Sequence, residues 1–181
     1  MSFEMEKVWW KLKHDLYRSR EYYGTLQVRF EVFLWGTRIV EALMAYAVYR
    51  VADLNTTFFR LLIIIGIVFS SLKGELSFSH RAKSLKKQYR EAGRLLNELE
   101  IEEVQQTEGA FSRLKRDYAT MESSDHPTIP CLDAVCWNVA SRMLGSNERY
   151  NLSLFQKTVG TWLPFVSVGE DQRVGGDGNE A

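Results

Sequence analysis

Proline is scarce in this sequence: three occur, Pro127, Pro130 and Pro164, all in the last third of the 181 residues. Everything before Pro127 is free of the residue that most strongly breaks helices, so long helices are permitted there. Cysteine is scarcer still. Cys131 and Cys136 lie five apart with no partner motif, which reads as two free thiols in a reducing compartment, with a disulfide as the other reading. The three histidines, His14, His80 and His126, are far apart, and none stands at metal-ligand spacing from a cysteine or carboxylate. His126 with Cys131 and Cys136 offers only three zinc ligands beside prolines, so no metal is expected. No P-loop, GxSxG or GxGxxG is present, and VGGDG near the end follows no strand and precedes no helix. The expectation is a protein that is not an enzyme and uses no cofactor. An excess of one charge is also missing, with 23 basic and 23 acidic residues, which removes the bulk electrostatic case for nucleic acid. MSFEMEKVWWKLKHD lacks the uninterrupted apolar region of a cleavable signal peptide. The sequons at Asn55 and Asn151 matter only in a secretory setting.

What is present is unevenly placed. Lys73, Arg81, Lys83, Lys86, Lys87 and Arg90 face Glu75 alone across the stretch from Lys73 to Arg90, a net of +5. Glu91, Glu98, Glu100, Glu102, Glu103 and Glu108 then face only Arg94, a net of −5. Such blocks mark a solvated helix whose ends have different neighbours. Aromatic residues make up 13% of the chain and crowd into its first third.

Trp9, Leu12, Leu16, Ser19, Tyr23, Leu26, Phe30 and Phe33 step by three and four, which predicts an amphipathic helix over residues 1–32 running on without a strong break. Two apolar stretches follow. FLWGTRIVEALMAYAVY, Phe33 to Tyr49, would span about 26 Å as a helix, and FFRLLIIIGIVFSSL, Phe58 to Leu72, about 22 Å. Both fall short of the roughly 30 Å hydrocarbon core, and both carry charge. Three features nevertheless favour a membrane hairpin over residues 33–72 against a buried core pair: a short polar connection, aromatics near both ends, and Lys and Arg on the outer flanks where the connection has none after Arg50. That asymmetry predicts both termini in the cytoplasm.

Residues 73–145 read as a cytoplasmic helical region. Phe78, Ala82, Leu85, Tyr89, Ala92, Leu96 and Leu99 form a heptad seam that wants a partner in the same chain or in another subunit. Phe111, Leu114, Tyr118 and Met121 share a face of a second helix, ESSDHPTIP interrupts it, and CLDAVCWNVASRMLG reads as a third that ends at Gly145. Residues 146–181 hold an apolar segment broken by Gly160 and Pro164, suited to a short helix on the protein or on a membrane surface. The end, GEDQRVGGDGNEA, is expected to be disordered. The fold class is all-α.

Three groups are candidate functional residues. Arg38 and Glu41, one turn apart in the first stretch, either fix two helices in register as a neutralised pair or line a polar path through an oligomer. The basic run from Lys73 to Arg90 is a topology determinant and lipid headgroup contact, or a site for an anionic ligand. The Phe78 to Leu99 seam is an oligomerisation surface or intra-chain packing.

The arrangement of a basic lead helix, a two-span hairpin, a long charged helix SHRAKSLKKQYREAGRLLNELE containing Tyr89, and a later helix CWNVASRMLG with Trp137 and Asn138 resembles the SLATT family of bacterial two-span effectors. The resemblance runs from Lys7 to Gly145 and departs in its short, charged spans; the tail has no counterpart. It implies an effector of anti-phage defence in the bacterial inner membrane that oligomerises, permeabilises the membrane, and answers to a nucleotidyltransferase product or other anionic nucleotide. A holin-like or adaptor protein without gating and a soluble helical scaffold are the alternatives.

Overall fold

The computed structural model describes residues 3–51, 61, 63–66, 78–102, 107–123 and 128–175. The chain is mostly helical, in agreement with the all-α expectation. Helix α1 runs Phe3–Val51, α2 Phe78–Glu102, α3 Glu108–Glu122 and α4 Pro130–Met143. A short α5, Leu154–Thr158, and 3-10 turns at Gly160–Trp162 and Glu170–Gln172 follow. Two compact units emerge, one formed by Met1–Gly24 with Lys87–Ala181 and the other by Thr25–Lys86.

The first unit is built on the face of α1 that the sequence marks. Trp9, Leu12, Leu16, Ser19 and Tyr23 are all buried, as the stripe of three- and four-residue steps requires. The other helices bury Leu95, Leu96 and Leu99 of α2, Ala110, Leu114, Tyr118 and Met121 of α3, and Leu132, Ala134, Cys136 and Ala140 of α4. Cys131 and Cys136 are both free and buried. Helix starts follow local chemistry. Thr107 caps α3 by accepting from the Ala110 N–H at 3.3 Å, and Pro130 occupies the first turn of α4, where its missing N–H costs nothing. At the other end of α4, Gly145 adopts φ +69°, and the Ser146 N–H reaches back to the Ser141 carbonyl at 2.8 Å.

Two departures from the sequence reading stand out. The stripe on α1 ends earlier than expected: Leu26 is buried, but Phe33 is exposed. In the C-terminal segment, Arg173–Val174 pairs antiparallel with Arg149–Tyr150, so part of the stretch expected to be disordered is held in a two-stranded ladder; residues 176–181 lie outside the described residues. Side chains secure this ladder. The Asn138 amide donates to the Tyr150 carbonyl at 2.8 Å and accepts from its N–H at 2.6 Å, doing for Tyr150 what a neighbouring strand would do. Arg173 pairs with Glu148 at 2.6 Å.

Helices α1 and α2 approach closely at one glycine. A Cβ on Gly24 would stand 3.0 Å from the Tyr89 ring, which also carries the Arg20 guanidinium 5.6 Å from its centroid. Gly93, by contrast, has nothing within 4 Å of its would-be Cβ. We expect Gly24→Leu to destabilise the protein by about 1–3 kcal/mol through overpacking, and Gly93→Ala to stabilise it by about 0.5–1 kcal/mol through helix propensity. Chemical denaturation of the two variants checks this; equal effects of one sign would rule out the close approach.

Candidate functional site

In the second unit many large apolar side chains turn outward. Val28, Val32, Phe33, Trp35, Ile39, Val40, Leu43 and Tyr46 of α1 are exposed, Trp35 by 67% and Leu43 by 62%. Leu61 and Ile63–Gly66 of the second apolar stretch are helical, and Leu61, Ile63, Ile64 and Ile65 are exposed as well. The two stretches meet where a Cβ on Gly66 would stand 3.2 Å from the Met44 methyl. Met44 lies seven residues before the end of α1 at Val51, so the chain has doubled back to bring Gly66 beside it. Thr37, buried within this surface, satisfies its hydroxyl by donating to the Leu34 carbonyl at 2.8 Å. Among the described residues no helix is long and apolar enough to cross a membrane.

The candidate residues divide accordingly. Arg38 is exposed and Glu41 half-buried, both on the part of α1 that carries the apolar surface. Arg81, Lys83, Lys86, Lys87 and Arg90 are all exposed on α2, and Lys73 lies outside the described residues. The seam behaves differently. Ala82, Leu85, Ala92, Leu96 and Leu99 are buried within the single chain, Tyr89 is half-buried beside Gly24, and the side chain of Phe78 is outside the described residues. The seam is therefore taken up by intra-chain packing. That burial accords with intra-chain packing, one of the two readings of the seam, because a side chain already removed from water offers a second copy no apolar area to bury.

A polar cluster that the sequence reading passed over sits in the first unit. Arg18 of α1 lies 3.5 Å from Asp133 of α4, 3.6 Å from Glu122 at the end of α3 and 4.0 Å from Asp15 one turn earlier. Its guanidinium stands 5.8 Å from the Trp137 ring centroid, and Arg173 stands 4.7 Å away. His14, fully buried, shares a hydrogen bond with the Ser141 hydroxyl at 3.0 Å and lies 4.1 Å from Trp137. Tyr22 accepts from the Ile129 N–H at 3.0 Å, and the Ser19 and Tyr118 hydroxyls meet at 3.2 Å. His14, Arg18 and Tyr22 recur every four residues, a second stripe on α1 beside the apolar one. That four-residue spacing is the signal the sequence carries for the cluster.

Burial sets the protonation of this cluster. The His14 imidazole is pushed down to about 4, mainly by burial and then by Arg18. Asp15 and Asp133 are raised by burial against the pull of Arg18, and burial pushes the Tyr22 and Tyr118 hydroxyls up to about 12. At neutral pH His14 and both tyrosines are therefore uncharged, which suits them to holding helices together. Because His14 binds its proton less readily when folded, stability is fully present above its unfolded value of 6.5 and falls as pH drops toward 4. The raised carboxyls act with the opposite sign between their raised folded values and the ordinary 3.8, within the lower part of that window, so comparison with His14→Gln isolates the histidine. We expect wild type to lose about 3 kcal/mol more than His14→Gln between pH 7 and pH 4, read from urea midpoints; parallel profiles would exclude the effect.

A cleft of about 800 Å³ opens between α4 and the ladder, lined by Asn138, Ser141, Arg142, Asn147, Arg149, Tyr150 and Lys157 among others. Comparison with protein-family models, with curated proteins and with solved structures finds no match to this chain.

Proposed function

We propose that the protein is a two-span membrane effector of bacterial anti-phage defence, seated in the inner membrane with both termini in the cytoplasm. Copies assemble through the hairpin of residues 33–72 and permeabilise the membrane when a nucleotide-type ligand or partner acts on the cytoplasmic helices. The observation that carries this reading is the outward display of apolar side chains on α1 between Val28 and Tyr46 and at Leu61 and Ile63–Ile65, where a single water-soluble chain would hide them. The approach of Gly66 to Met44 supports an antiparallel hairpin. Lipid, together with neighbouring copies, is the environment that removes so continuous a surface from water. Arg38 and Glu41 then face the polar path between copies, and the cations from Arg81 to Arg90 meet the cytoplasmic headgroups or an anionic nucleotide.

A soluble helical scaffold is the second reading, favoured by the finding that no described helix is long and apolar enough to cross a membrane. In it, other copies alone cover the exposed surface. Fractionation separates the two: recovery in the aqueous phase without detergent excludes the membrane effector.

Within the membrane reading, replacing both Arg38 and Glu41 by leucine removes two charges, and a charge near a span centre, as Glu41 would be, opposes insertion by about 2.5–3.5 kcal/mol. The expected result is equal or greater membrane recovery with reduced depolarisation on induction, followed with a potential-sensitive dye. Undiminished depolarisation would take the pair out of the mechanism.

A further inference from the structure

A separate apolar surface lies in the first unit, at the C-terminal end of the fold. Leu154 and Phe155 of α5, Val159, Trp162 and Phe165 are all exposed, Leu154 by 80% and Phe165 by 79%. No side chain of α5 is buried. Such exposure is not the product of a slack segment, because the backbone is closely determined. Ser153 accepts from the Gln156 N–H at 3.2 Å while Gln156 accepts from the Ser153 N–H at 2.9 Å, a capping box. The Gln156 Nε2 donates to the Ser167 carbonyl at 3.2 Å and to the Gln172 Oε1 at 3.1 Å, and the Cys131 thiol donates to the Val166 carbonyl at 3.4 Å. The loop is thus fastened from beneath while its largest apolar groups point outward.

Charge identifies what covers it. From Asn151 to Gly169 there is no acidic residue, and Lys157 is the single charge. Leu154 and Lys157, three apart on α5, share a face. Lys157 also lines the cleft that Arg142 and Arg149 line. Among the described residues none of these three cations has an ion-pair partner, whereas Glu148, which also lines the cleft, is neutralised by Arg173. Aliphatic and aromatic side chains beside unpaired cations match the two layers of an anionic bilayer surface, acyl boundary and phosphate headgroups. A protein partner would need acidic groups to meet the cations and an apolar socket for Phe165, whereas lipid meets both without a preformed shape.

We propose that Leu154–Phe165, with Arg142, Arg149 and Lys157, forms a second membrane contact that docks on anionic phospholipid, independent of the hairpin. The aromatic and aliphatic side chains enter the headgroup boundary, and the three cations take lipid phosphates.

The test uses the full chain reconstituted into vesicles of phosphatidylcholine alone or of phosphatidylcholine with phosphatidylglycerol. An environment-sensitive fluorophore is attached at Phe165→Cys and, in a separate variant, at Leu43→Cys; the unlabelled native thiols, both buried, give the background. Quenching is read at position 165 with a lipid spin-labelled near its headgroup and at position 43 with a lipid spin-labelled deep in its acyl chain. The expected result is strong quenching at position 165 in the anionic vesicles, weakened by salt, with the docking equilibrium falling about fivefold for each of Lys157→Gln and Arg149→Gln. Quenching at 165 without any at 43 leaves this proposal standing and removes the hairpin. Quenching at 43 without any at 165, quenching at 165 that is equal in both lipids, or shielding from aqueous iodide without lipid quenching, which marks a second copy, overturns it. Both substituted cations are exposed, and matching thermal melts of the variants establish that the fold is unchanged.

Discussion

The guanidinium of Arg18 is the point through which three helices of the first unit are referred to one another. It reaches Asp133 at 3.5 Å on α4, Glu122 at 3.6 Å on α3, and Asp15 at 4.0 Å on its own helix. A cation so enclosed is stable only when its partners stay in place, since an uncompensated charge left behind costs several kcal/mol. The partners are held in turn by apolar packing. Leu16, Leu114 and Leu132 are fully buried, and burying each such side chain is worth about 1.5–3 kcal/mol. The apolar core therefore supplies the stability, and the Arg18 cluster selects the arrangement in which α3 and α4 meet α1.

Trp137 extends that selection toward the C-terminal segment. Its ring meets His14 at 4.1 Å, Tyr150 at 6.1 Å edge-on, and the Arg173 guanidinium at 4.7 Å. Among the described residues its indole N–H has no hydrogen-bond partner, while the Arg173 guanidinium lies over the face of the ring. Asn138, the next residue, fastens the backbone of Tyr150 on both sides. The pair Trp137–Asn138 thus ties α4 to the two-stranded ladder. Through Tyr150 and its partner strand, the pair also fixes the path of the chain beyond Gly145.

Legibility in the sequence followed the strength of the periodic signal. The stripe from Trp9 to Leu26, the faces of α3 and the end of α4 at Gly145 were readable because burial on one side of a helix forces apolar residues into steps of three and four. Phe33 misled because its spacing continues the stripe although the burial does not. The seam from Ala82 to Leu99 was correctly seen as apolar, but periodicity says only that a face is covered, not by which chain. The four-residue spacing of His14, Arg18 and Tyr22 marked a face but not its burial, because a polar residue just off an apolar stripe looks solvated until partners such as Glu122, Asp133 and Ser141, more than 100 residues away, are known. The ladder at Arg173–Val174 was hidden because two residues carry no period, and the amide of Asn138 that secures it could not be paired with Tyr150 by sequence alone. The exposed apolar surface of the second unit was legible as two short stretches, and their outward display is what the sequence left open.

The charge placement within the first stretch bears on whether that surface suits a bilayer. Helix α1 continues to Val51, so helical length is not what limits a span; the interruption by Arg38 and Glu41 is. Arg38 stands five residues beyond Phe33, about 8 Å along the axis, close enough to an interface for its long side chain to reach headgroups. Glu41 lies about 12 Å in, near the middle of the apolar run, and its short side chain has no such reach. In the single chain Glu41 is already half-buried and interacts with another group, while Arg38 is exposed. The cost of placing this helix in lipid thus falls mainly on Glu41. Were this helix in lipid, contacts within the hairpin or between copies would have to supply the compensation of Glu41.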